Sequence, residues 1–293
     1  MFALAQQKST LELDTWRYTI VTMPLERKTL LINGYEYHFD KKLGRGSFGA
    51  VYAAHRYPDN KPVAIKVVSL ATRNSAVSMQ NSEAVLNEIE MARRLAQTSD
   101  HIIHMYDFDF HRHTGLSFIV MELGQQDLER FLSHRRFLTP DERKNIWRQL
   151  VDIANTLHNY QIVHFDIKPQ NLVVFPGGIV KLVDLGIAQK AFQRRIGPNG
   201  SQPYSAPEVT LISLRHITIN TTKADVWSWG AVLFRMTYMT APDYFEPCYH
   251  PPRHQRQTRD PHLRDILRNT LVIDPRARPD PSWFLDHPYT LSF

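Results

Sequence analysis

The chain has 293 residues, of which 43% are hydrophobic and 22% charged, and these values are typical of a well-packed globular protein with one large domain or two lobes. We predict no membrane span and no secretory signal, and the single cysteine, Cys248, excludes an intrachain disulfide and indicates a reducing compartment, the cytosol or the nucleus. The net charge of +6 is spread along the chain, which disfavours nucleic-acid binding as the main function but suits anionic ligands such as nucleotides and acidic peptides.

Residues 1–34 are interpreted as an N-terminal extension that carries one strand-like stretch, "WRYTIVTM". From residue 35 the strand signal becomes stronger, in "YEYHFDKKLGRG", "AVYAAHR" and "PVAIKVVSL". A helical period follows over residues 82–97, and two more strands are predicted near 102–109 and 116–122. These elements predict a small, β-rich lobe.

After Gly124 helical patterns dominate, over residues 127–134, 141–160, 223–238 and 262–271. The pattern predicts a larger helical lobe that is joined to the β-rich lobe near residues 122–126. Residues 241–261 contain five prolines, which predicts an extended loop. The fold class predicted from these elements is α+β.

The stretch "LGRGSFGAV" (43–51) places Gly44, Gly46 and Gly49 in a turn between two predicted strands. Glycines let a backbone approach phosphates closely and expose N–H groups to them. A dinucleotide-binding fold would require a helix after the glycines, and here a strand follows. A glycine-rich hairpin is also common as a purely structural feature, so this motif alone leaves both interpretations open.

Lys66 lies in the apolar strand segment "VAIK". Apolar neighbours favour an inward-facing side chain, which then requires a negatively charged partner. At about 100° per residue, Glu88 lies nearer than Glu83 or Glu90 to the apolar stripe of the helix at 82–97. We therefore predict that Glu88 pairs with Lys66. The alternative is a solvated lysine at a strand edge.

The stretch "IVHFDIKPQN" (162–171) contains Asp166, Lys168 and Asn171, and Asp184 ends a later apolar strand in "KLVDLGIA". An amide and a carboxylate, Asn171 and Asp184, are suited to hold Mg²⁺, which prefers oxygen ligands. Asp166 can then orient a hydroxyl group and accept its proton, while Lys168 neutralises a migrating phosphate. Each residue alone has a structural explanation, such as an Asx turn or a surface lysine. Together, in this order and spacing, they indicate phosphoryl transfer.

With these motifs the segment 35–290 resembles a eukaryotic protein kinase domain. The triplet "APE" (206–208), "DVWSWG" (225–230) and "DPRARP" (274–279) carry the resemblance further. It implies a bilobal protein-kinase-like fold with an N-lobe at 35–123 and a C-lobe at 124–290, and ATP and Mg²⁺ as cofactors. It assigns catalytic roles to four residues and the metal to two others: Asp166, Lys168, Lys66 and Glu88 for catalysis, Asn171 and Asp184 for Mg²⁺.

Within that superfamily the chain resembles the monopolar-spindle (TTK) kinases, in "SDHIIHMYDFD" (99–109), "MELGQQDLERFL" (121–132) and "ERKNIWRQL" (142–150). The resemblance makes Met121 the gatekeeper residue and places the hinge at Glu122, Leu123 and Gly124. It implies that the remaining nucleotide-binding residues come from the glycine-rich loop, the flanking strands and the start of the C-lobe: Leu43, Gly44, Gly46, Gly49, Val51, Ala64, Lys66, Asp127 and Val173.

Phe165 stands where many kinases carry an arginine that is neutralised by a phosphate on the activation loop. Residues 187–200 contain no Ser, Thr or Tyr, so the usual phosphorylation site is missing from the sequence. By resemblance, Ser201 belongs to the wall that binds the substrate, near Asp166 and Lys168. These two features predict a kinase whose loop is ordered without phosphorylation.

The sequence thus predicts an ATP-dependent protein kinase that modifies Ser or Thr of protein substrates, with Tyr acceptors left open. The alternative is a pseudokinase scaffold that binds nucleotide and protein partners without catalysis. A separate hypothesis concerns residues 250–259, where Arg253, Arg256 and Arg259 form either a docking site for an acidic partner or an ordinary solvated loop.

Overall fold

The computed structural model describes residues 25–46, 48–95, 98–192, 200–210, 221–245 and 247–292. The chain divides into two compact units. The first comprises the residues up to Arg93 together with His104–Leu123, and the second comprises Arg94–Ile103 and Gly124–Phe293. The strand-like stretch at 16–23 lies outside the described residues. Within the described part of the chain, no helix is long and apolar enough to cross a membrane.

The first unit is built on one antiparallel sheet with the strand order β1-β2-β3-β4-β6-β5. The strands are β1 (Thr29–Ile32), β2 (Tyr35–Arg45), β3 (Gly49–Tyr57), β4 (Lys61–Ser69), β5 (Met105–His111) and β6 (Leu116–Glu122). Alternation along β4 sends Val63, Ile65 and Val67 into the core of this unit. Ala64 and Lys66 therefore lie on the opposite face of the sheet.

The turn between β1 and β2 is tied to β5, although β1 and β5 are the two edges of the sheet. The Asn33 backbone N–H donates to Asp109 Oδ2 over 2.7 Å, and the Asn33 side-chain amide donates to Asp107 Oδ1 over 2.8 Å. Because one side chain and its own backbone reach across to the far edge, the sheet is curled.

The single helix described in the first part of the chain, α1, spans Ser75–Leu95. The sequence predicted a helix at 82–97, so its start was placed seven residues too late. The reason is that residues 75–81 are mostly polar and lack the apolar period, whereas the Asn74 side chain supplies the missing start by accepting the N–H of Ala76 over 2.9 Å. Residues 96 and 97, at the predicted end, lie outside the described residues.

The second unit is mainly helical. Its helices are α2 (Leu128–Ser133), α3 (Pro140–Asn159), α4 (Pro207–Thr210), α5 (Lys223–Tyr238), α6 (Pro261–Thr270), α7 (Trp283–Asp286) and α8 (Pro288–Leu291). Two small antiparallel sheets join strands β7 (Gln126–Asp127), β8 (Ile162–Val163), β9 (Leu172–Val174), β10 (Val180–Leu182) and β11 (Gln189–Lys190), in the orders β10-β9-β7 and β11-β8. The four long helical patterns predicted from the sequence are confirmed to within one residue at each end.

Helix α3 begins with a capping box in which Thr139 and Glu142 exchange side-chain and backbone hydrogen bonds. Its apolar face, which includes Trp147 and Leu150, is buried. Its polar face binds the C-terminal segment 289–292, and the Arg148 guanidinium alone donates to the backbone oxygens of both Thr290 and Ser292. Helix α3 is therefore enclosed by residues more than 140 positions away in the chain.

The proline-rich segment between α5 and α6 contains no helix within its described residues, 239–245 and 247–260. The predicted extended loop is thereby confirmed for that part of the chain. The loop is held to the body of the unit by its apolar and aromatic residues, since Cys248 is buried and the Tyr244 hydroxyl donates to Ser205 O over 2.7 Å.

Candidate active site

In the first unit, Lys66 and Glu88 form the ion pair that the helical period predicted. Lys66 Nζ lies 2.6 Å from Glu88 Oε2, and the two side chains are only 4% and 8% exposed. A buried charge is tolerated when it is paired, so each of these residues makes the burial of the other possible. The pair fixes the lysine ammonium on the face of the sheet opposite the hydrophobic core.

That same face carries the residues predicted to surround adenine. Val51 is paired with Lys66 across β3 and β4, and Ala64 is paired with Met121 across β4 and β6. Directly paired residues of antiparallel strands project to the same face, as do residues two apart along one strand. Val51, Ala64, Lys66 and Met121 therefore line one apolar surface with a single cation.

The glycines of the glycine-rich turn differ in what surrounds them. At Gly49 a methyl group would overlap the carbonyl oxygen of Val67, so packing on β4 accounts for this glycine. At Gly44 a methyl group would meet nothing within 4 Å, and Gly44 and Leu43 are exposed. Packing thus gives no reason for Gly44, which leaves its backbone open to close approach by a ligand. Gly46 N donates to Gly49 O over 2.8 Å and closes the turn.

The predicted hinge residues have structural partners of their own. Glu122 Oε1 accepts the N–H of His104 over 2.7 Å, and the Glu122 N–H donates to His104 O over 3.1 Å, so both groups are used inside the first unit. In the second unit, Gly124 lets Val173 approach so closely that a methyl group at Gly124 would overlap it. Asp127, predicted near a ribose, caps α2 by accepting the N–H of Arg130 over 2.8 Å.

The loop at 162–171 is held from below by Asp225, in the first turn of α5. Its carboxylate accepts the N–H groups of His164 and Phe165 over 2.6 and 2.9 Å. Burial raises the pKa of Asp225 to about 7, against the effect of these two hydrogen bonds. Phe165 is buried and has a φ of 65°, which is rare for a bulky residue and is maintained here by the bond to Asp225.

His164 stiffens the next step of the same loop. The Asp166 N–H donates to His164 Nδ1 over 3.2 Å, which requires a neutral imidazole with its proton on Nε2. Burial lowers the pKa of His164, so the neutral form is favoured. The imidazole therefore orients the backbone at Asp166, a role that sequence reasoning missed.

The Asp166 carboxylate is bound on one side only. Its Oδ2 lies 2.7 Å from Lys168 Nζ and accepts the Asn171 amide N–H over 3.0 Å. Its Oδ1 is buried and has no hydrogen-bond partner among the described residues. Because a buried carboxylate oxygen without a partner is costly, this atom is a strong acceptor for a ligand hydroxyl group.

The donor set around Asn171 and Asp184 fits Mg²⁺. The Asn171 amide nitrogen is engaged by Asp166, which leaves its oxygen as the atom able to bind a cation. Asp184 is half-buried just after β10 and has a φ of 63°, a conformation that aspartate tolerates better than most residues. No group of three or more His, Cys, Asp or Glu that could hold a metal occurs among the described residues. Two oxygen ligands suit an Mg²⁺ ion that takes its remaining ligands from phosphates and water.

Ser201 lies where the resemblance put it. Lys168 Nζ donates to Ser201 Oγ over 2.7 Å, so this lysine bridges Ser201 and Asp166. The segment ends at Glu208, which forms a two-point ion pair with Arg278 over 2.7 and 2.8 Å. Residues 193–199, half of the stretch 187–200 that lacks hydroxyl side chains, lie outside the described residues.

A second ion pair near this segment was missed. Arg235 in α5 binds Glu129 in α2 through Nη2 and Nε, over 2.6 and 3.2 Å. The two residues are 106 positions apart, and each alone resembles an ordinary charged residue of a helix. No local pattern in the sequence could have paired them.

Comparison with known proteins agrees with this geometry. The family model described as "Protein kinase domain" matches residues 37–290. The "Dual specificity protein kinase Ttk" of Danio rerio is 31% identical over 283 residues, which are 89% of this chain and 28% of the relative. The mouse (Mus musculus) "Dual specificity protein kinase TTK" is 32% identical over 282 residues, 88% of this chain and 32% of that protein.

A third relative, "Serine/threonine-protein kinase 36" of Pongo abelii, is 29% identical over 265 residues, 87% of this chain and 19% of the relative. The chain thus spans a third or less of the length of these relatives. The predicted resemblance to protein kinases, and among them to TTK kinases, is confirmed.

Proposed function

Because the chain belongs to the protein kinase family, we propose that it transfers the γ-phosphate of ATP to Ser or Thr hydroxyl groups of protein substrates, with Tyr acceptors left open. The observation that carries this proposal is the half-bound carboxylate of Asp166, whose Oδ1 is buried without a described partner while Lys168 bridges its Oδ2 to Ser201. An acceptor hydroxyl group supplies the missing donor.

In this proposal Asp166 Oδ1 receives the hydrogen bond of the acceptor hydroxyl group and orients its oxygen toward the γ-phosphorus. As the new P–O bond forms, the bond from the γ-phosphorus to the β–γ bridging oxygen breaks, ADP leaves, and Asp166 takes up the hydroxyl proton. Lys168, next to the same carboxylate, neutralises charge on the transferred phosphoryl group. In the first unit, Lys66 binds the α- and β-phosphates of ATP and is itself held by Glu88. Asn171 and Asp184 would hold Mg²⁺, which when bound neutralises the phosphate oxygens.

We also propose that the activation segment is ordered without phosphorylation. Phe165 carries no charge for a phosphate to neutralise, and residues 187–200 contain no hydroxyl side chain. The next hydroxyl groups are occupied: Ser201 accepts from Lys168, and Tyr204 and Ser205 are buried. Control then rests with abundance, with partners or with the motion that closes the lobes.

The test is Mg·ATP-dependent transfer of ³²P to a generic protein acceptor such as myelin basic protein, with Asp166→Asn as the control. Lys66→Met and Asp184→Ala should each lower the rate by about 10²–10³-fold or more, because each removes a group that stabilises charge on the phosphates. Near-normal activity in either folded variant contradicts the site assignment. Transfer no greater than that of Asp166→Asn would favour the pseudokinase alternative.

The activation-segment proposal has its own experiment. The purified kinase is treated with a phosphatase, mass spectrometry verifies that residues 187–205 are unmodified, and transfer is measured again. We expect at least half of the activity to remain. A loss of more than tenfold that is restored by phosphorylation within this segment contradicts the proposal.

The partners and the location are proposed on chemical grounds. Arg253, Arg256 and Arg259 are exposed, and none forms an ion pair within the part of the chain that the structure describes. Three such cations within seven residues suit an acidic segment of a protein partner. The buried thiol of Cys248, the single cysteine of the sequence, accords with a reducing compartment, and we propose that the protein lies in the cytoplasm, the nucleus or both.

A further inference from the structure

The structure assigns a positioning role to Glu129 and Arg235: through the Tyr204 hydroxyl group they hold residues 200–205 against the catalytic loop. We call residues 200–205 the substrate wall. This inference rests on the proposed kinase activity and adds to it the residues that keep the wall in its binding position.

The substrate wall behaves as one rigid turn. Ser201 O accepts the N–H groups of Tyr204 and Ser205 over 3.0 and 3.1 Å and the Ser205 hydroxyl over 3.2 Å. Because Tyr204 and Ser205 both bind the Ser201 oxygen, a displacement of Tyr204 also displaces Ser201. Ser201 is the residue that Lys168 binds beside Asp166.

The wall also packs closely on the catalytic loop. Gly200 has a φ of 93°, and a methyl group there would overlap both Ser205 Oγ and the backbone oxygen of Phe165. The first residue of the wall thus lies against the residue that precedes Asp166. A shift of a few tenths of an ångström in the wall would change the position of Ser201 relative to the catalytic carboxylate.

The other end of the wall is tied to two helices by Glu129. The Tyr204 hydroxyl donates to Glu129 Oε2 over 3.4 Å, and Arg235 holds the same carboxylate side-on. The Arg235 and Glu129 side chains are 10% and 27% exposed, so the pair is shielded from most of the solvent. Burial raises the pKa of Tyr204, which keeps the phenol a neutral donor.

Helix α5 links this tie to the catalytic loop. Asp225 at its start holds the backbone of His164 and Phe165, and Arg235 lies ten residues later, about 15 Å along the helix. The catalytic loop and the substrate wall are therefore both attached to one helix, α5. A substrate wall without a phosphate needs such an attachment, because Phe165 has no charge that could bind the wall.

The first test removes a single oxygen atom. Tyr204→Phe keeps the ring and deletes the hydroxyl group, and Tyr289→Phe is the matched control, since Tyr289 is also buried and its hydroxyl binds Arg143 away from the wall. For Tyr204→Phe we expect KM for myelin basic protein to rise roughly fivefold to tenfold, as the loss of one hydrogen bond to a carboxylate predicts. KM for ATP should change less than twofold, and the melting temperature should match that of the control.

The second test exchanges the charges. Glu129→Arg and Arg235→Glu alone place like charges together and should each lower kcat/KM for the protein acceptor by about 10²-fold. The double variant restores an ion pair and should return to within about threefold of Tyr204→Phe or better. Rescue of this kind is expected of a positioning pair that requires opposite charges, whichever helix carries each sign.

The outcomes separate the inference from the function on which it rests. If the wild type transfers phosphate but Tyr204→Phe keeps the wild-type KM for the acceptor, the inference is wrong and the proposed function stands. It is also wrong if the charge exchange gives no rescue while the double variant remains folded. If the wild type shows no more transfer than Asp166→Asn, the proposed function fails and the inference fails with it.

Discussion

The guanidinium of Arg278 should be among the most stabilising polar groups of the second unit, and its removal gives a quantitative test. The side chain is completely buried, and each of its five N–H groups has an acceptor. Two bonds go to Glu208, and the others go to the backbone oxygens of Val272, Lys223 and Ile273, over 2.8, 2.9 and 3.1 Å. Arg278→Ala leaves all of these acceptors without their donors.

Breaking a buried ion pair by removing one partner costs about 3–5 kcal/mol. The lower part of this range is expected for Arg278→Ala, because Glu208 is 26% exposed and can regain water. Glu208→Ala should cost more, since it leaves the fully buried guanidinium with only backbone acceptors. The structure offers a matched control two residues away, where Arg276 is 90% exposed and binds Asp274 over 3.2 Å. Arg276→Ala should cost less than about 1 kcal/mol.

Urea unfolding followed by tryptophan fluorescence measures these differences in the free energy of unfolding for the second unit. Trp147, Trp227, Trp229 and Trp283 all belong to the second unit. With an m-value of about 3 kcal/mol/M, Arg278→Ala should lower the midpoint by about 1 M or more. If Arg278→Ala and Arg276→Ala lower the free energy of unfolding by the same amount, within 1 kcal/mol, the reasoning from burial is wrong.

Three further predictions concern the wall, the basic loop and the buried histidine. Gly200→Ala should lower kcat/KM by more than tenfold. Gly178 has a similar φ of 76° but open space around it, so Gly178→Ala should leave activity within twofold. Equal losses would mean that backbone strain and not packing is responsible. Replacing the three exposed arginines by Gln (Arg253, Arg256 and Arg259) should weaken binding to a poly-glutamate peptide at low salt, and the difference should shrink in 0.5 M salt; unchanged affinity at low salt leaves the loop as an ordinary solvated segment. Burial lowers the pKa of His164, so as the pH falls the unfolded chain takes up a proton near pH 6.5 before the folded chain does. The wild type should therefore lose stability relative to His164→Gln below about pH 6.5. A difference in the free energy of unfolding that stays constant from pH 8 to pH 5 contradicts this prediction.

The sequence predicted those site residues whose partners are set by local spacing. The five-residue spacing of Asp166 and Asn171 places the Asn171 amide on Asp166. The helical angle of Glu88 identified it among three glutamates as the partner of Lys66. For Glu88 the regular helix converts spacing in the chain into spacing in the fold, whereas Asp166 and Asn171 are close because they lie in one short loop.

Contacts between remote elements could not be predicted in this way. Arg235 and Glu129 meet only because the fold brings one point of α5 close to α2, and neither residue breaks any rule for an exposed helical position. The start of α1 was missed for a different reason, since capping by Asn74 stabilises a polar first part that has no apolar period. The orienting role of His164 depends on burial, which a single residue in a short motif does not reveal.

The attachment of residues 289–292 to α3 has a consequence for biosynthesis. Four side chains of α3, namely those of Arg143, Lys144, Trp147 and Arg148, find their partners 142–148 positions later in the chain. At about 5–20 residues per second, the ribosome needs about 7–30 s to make that distance. During this time these four side chains lack their partners, and α3 is held by its capping box, its apolar face and contacts with earlier residues such as the Ser99 hydroxyl group, which donates to Asp152. The second unit therefore completes its folding late, and the nascent α3 exposes a tryptophan and three cations to which a chaperone can bind.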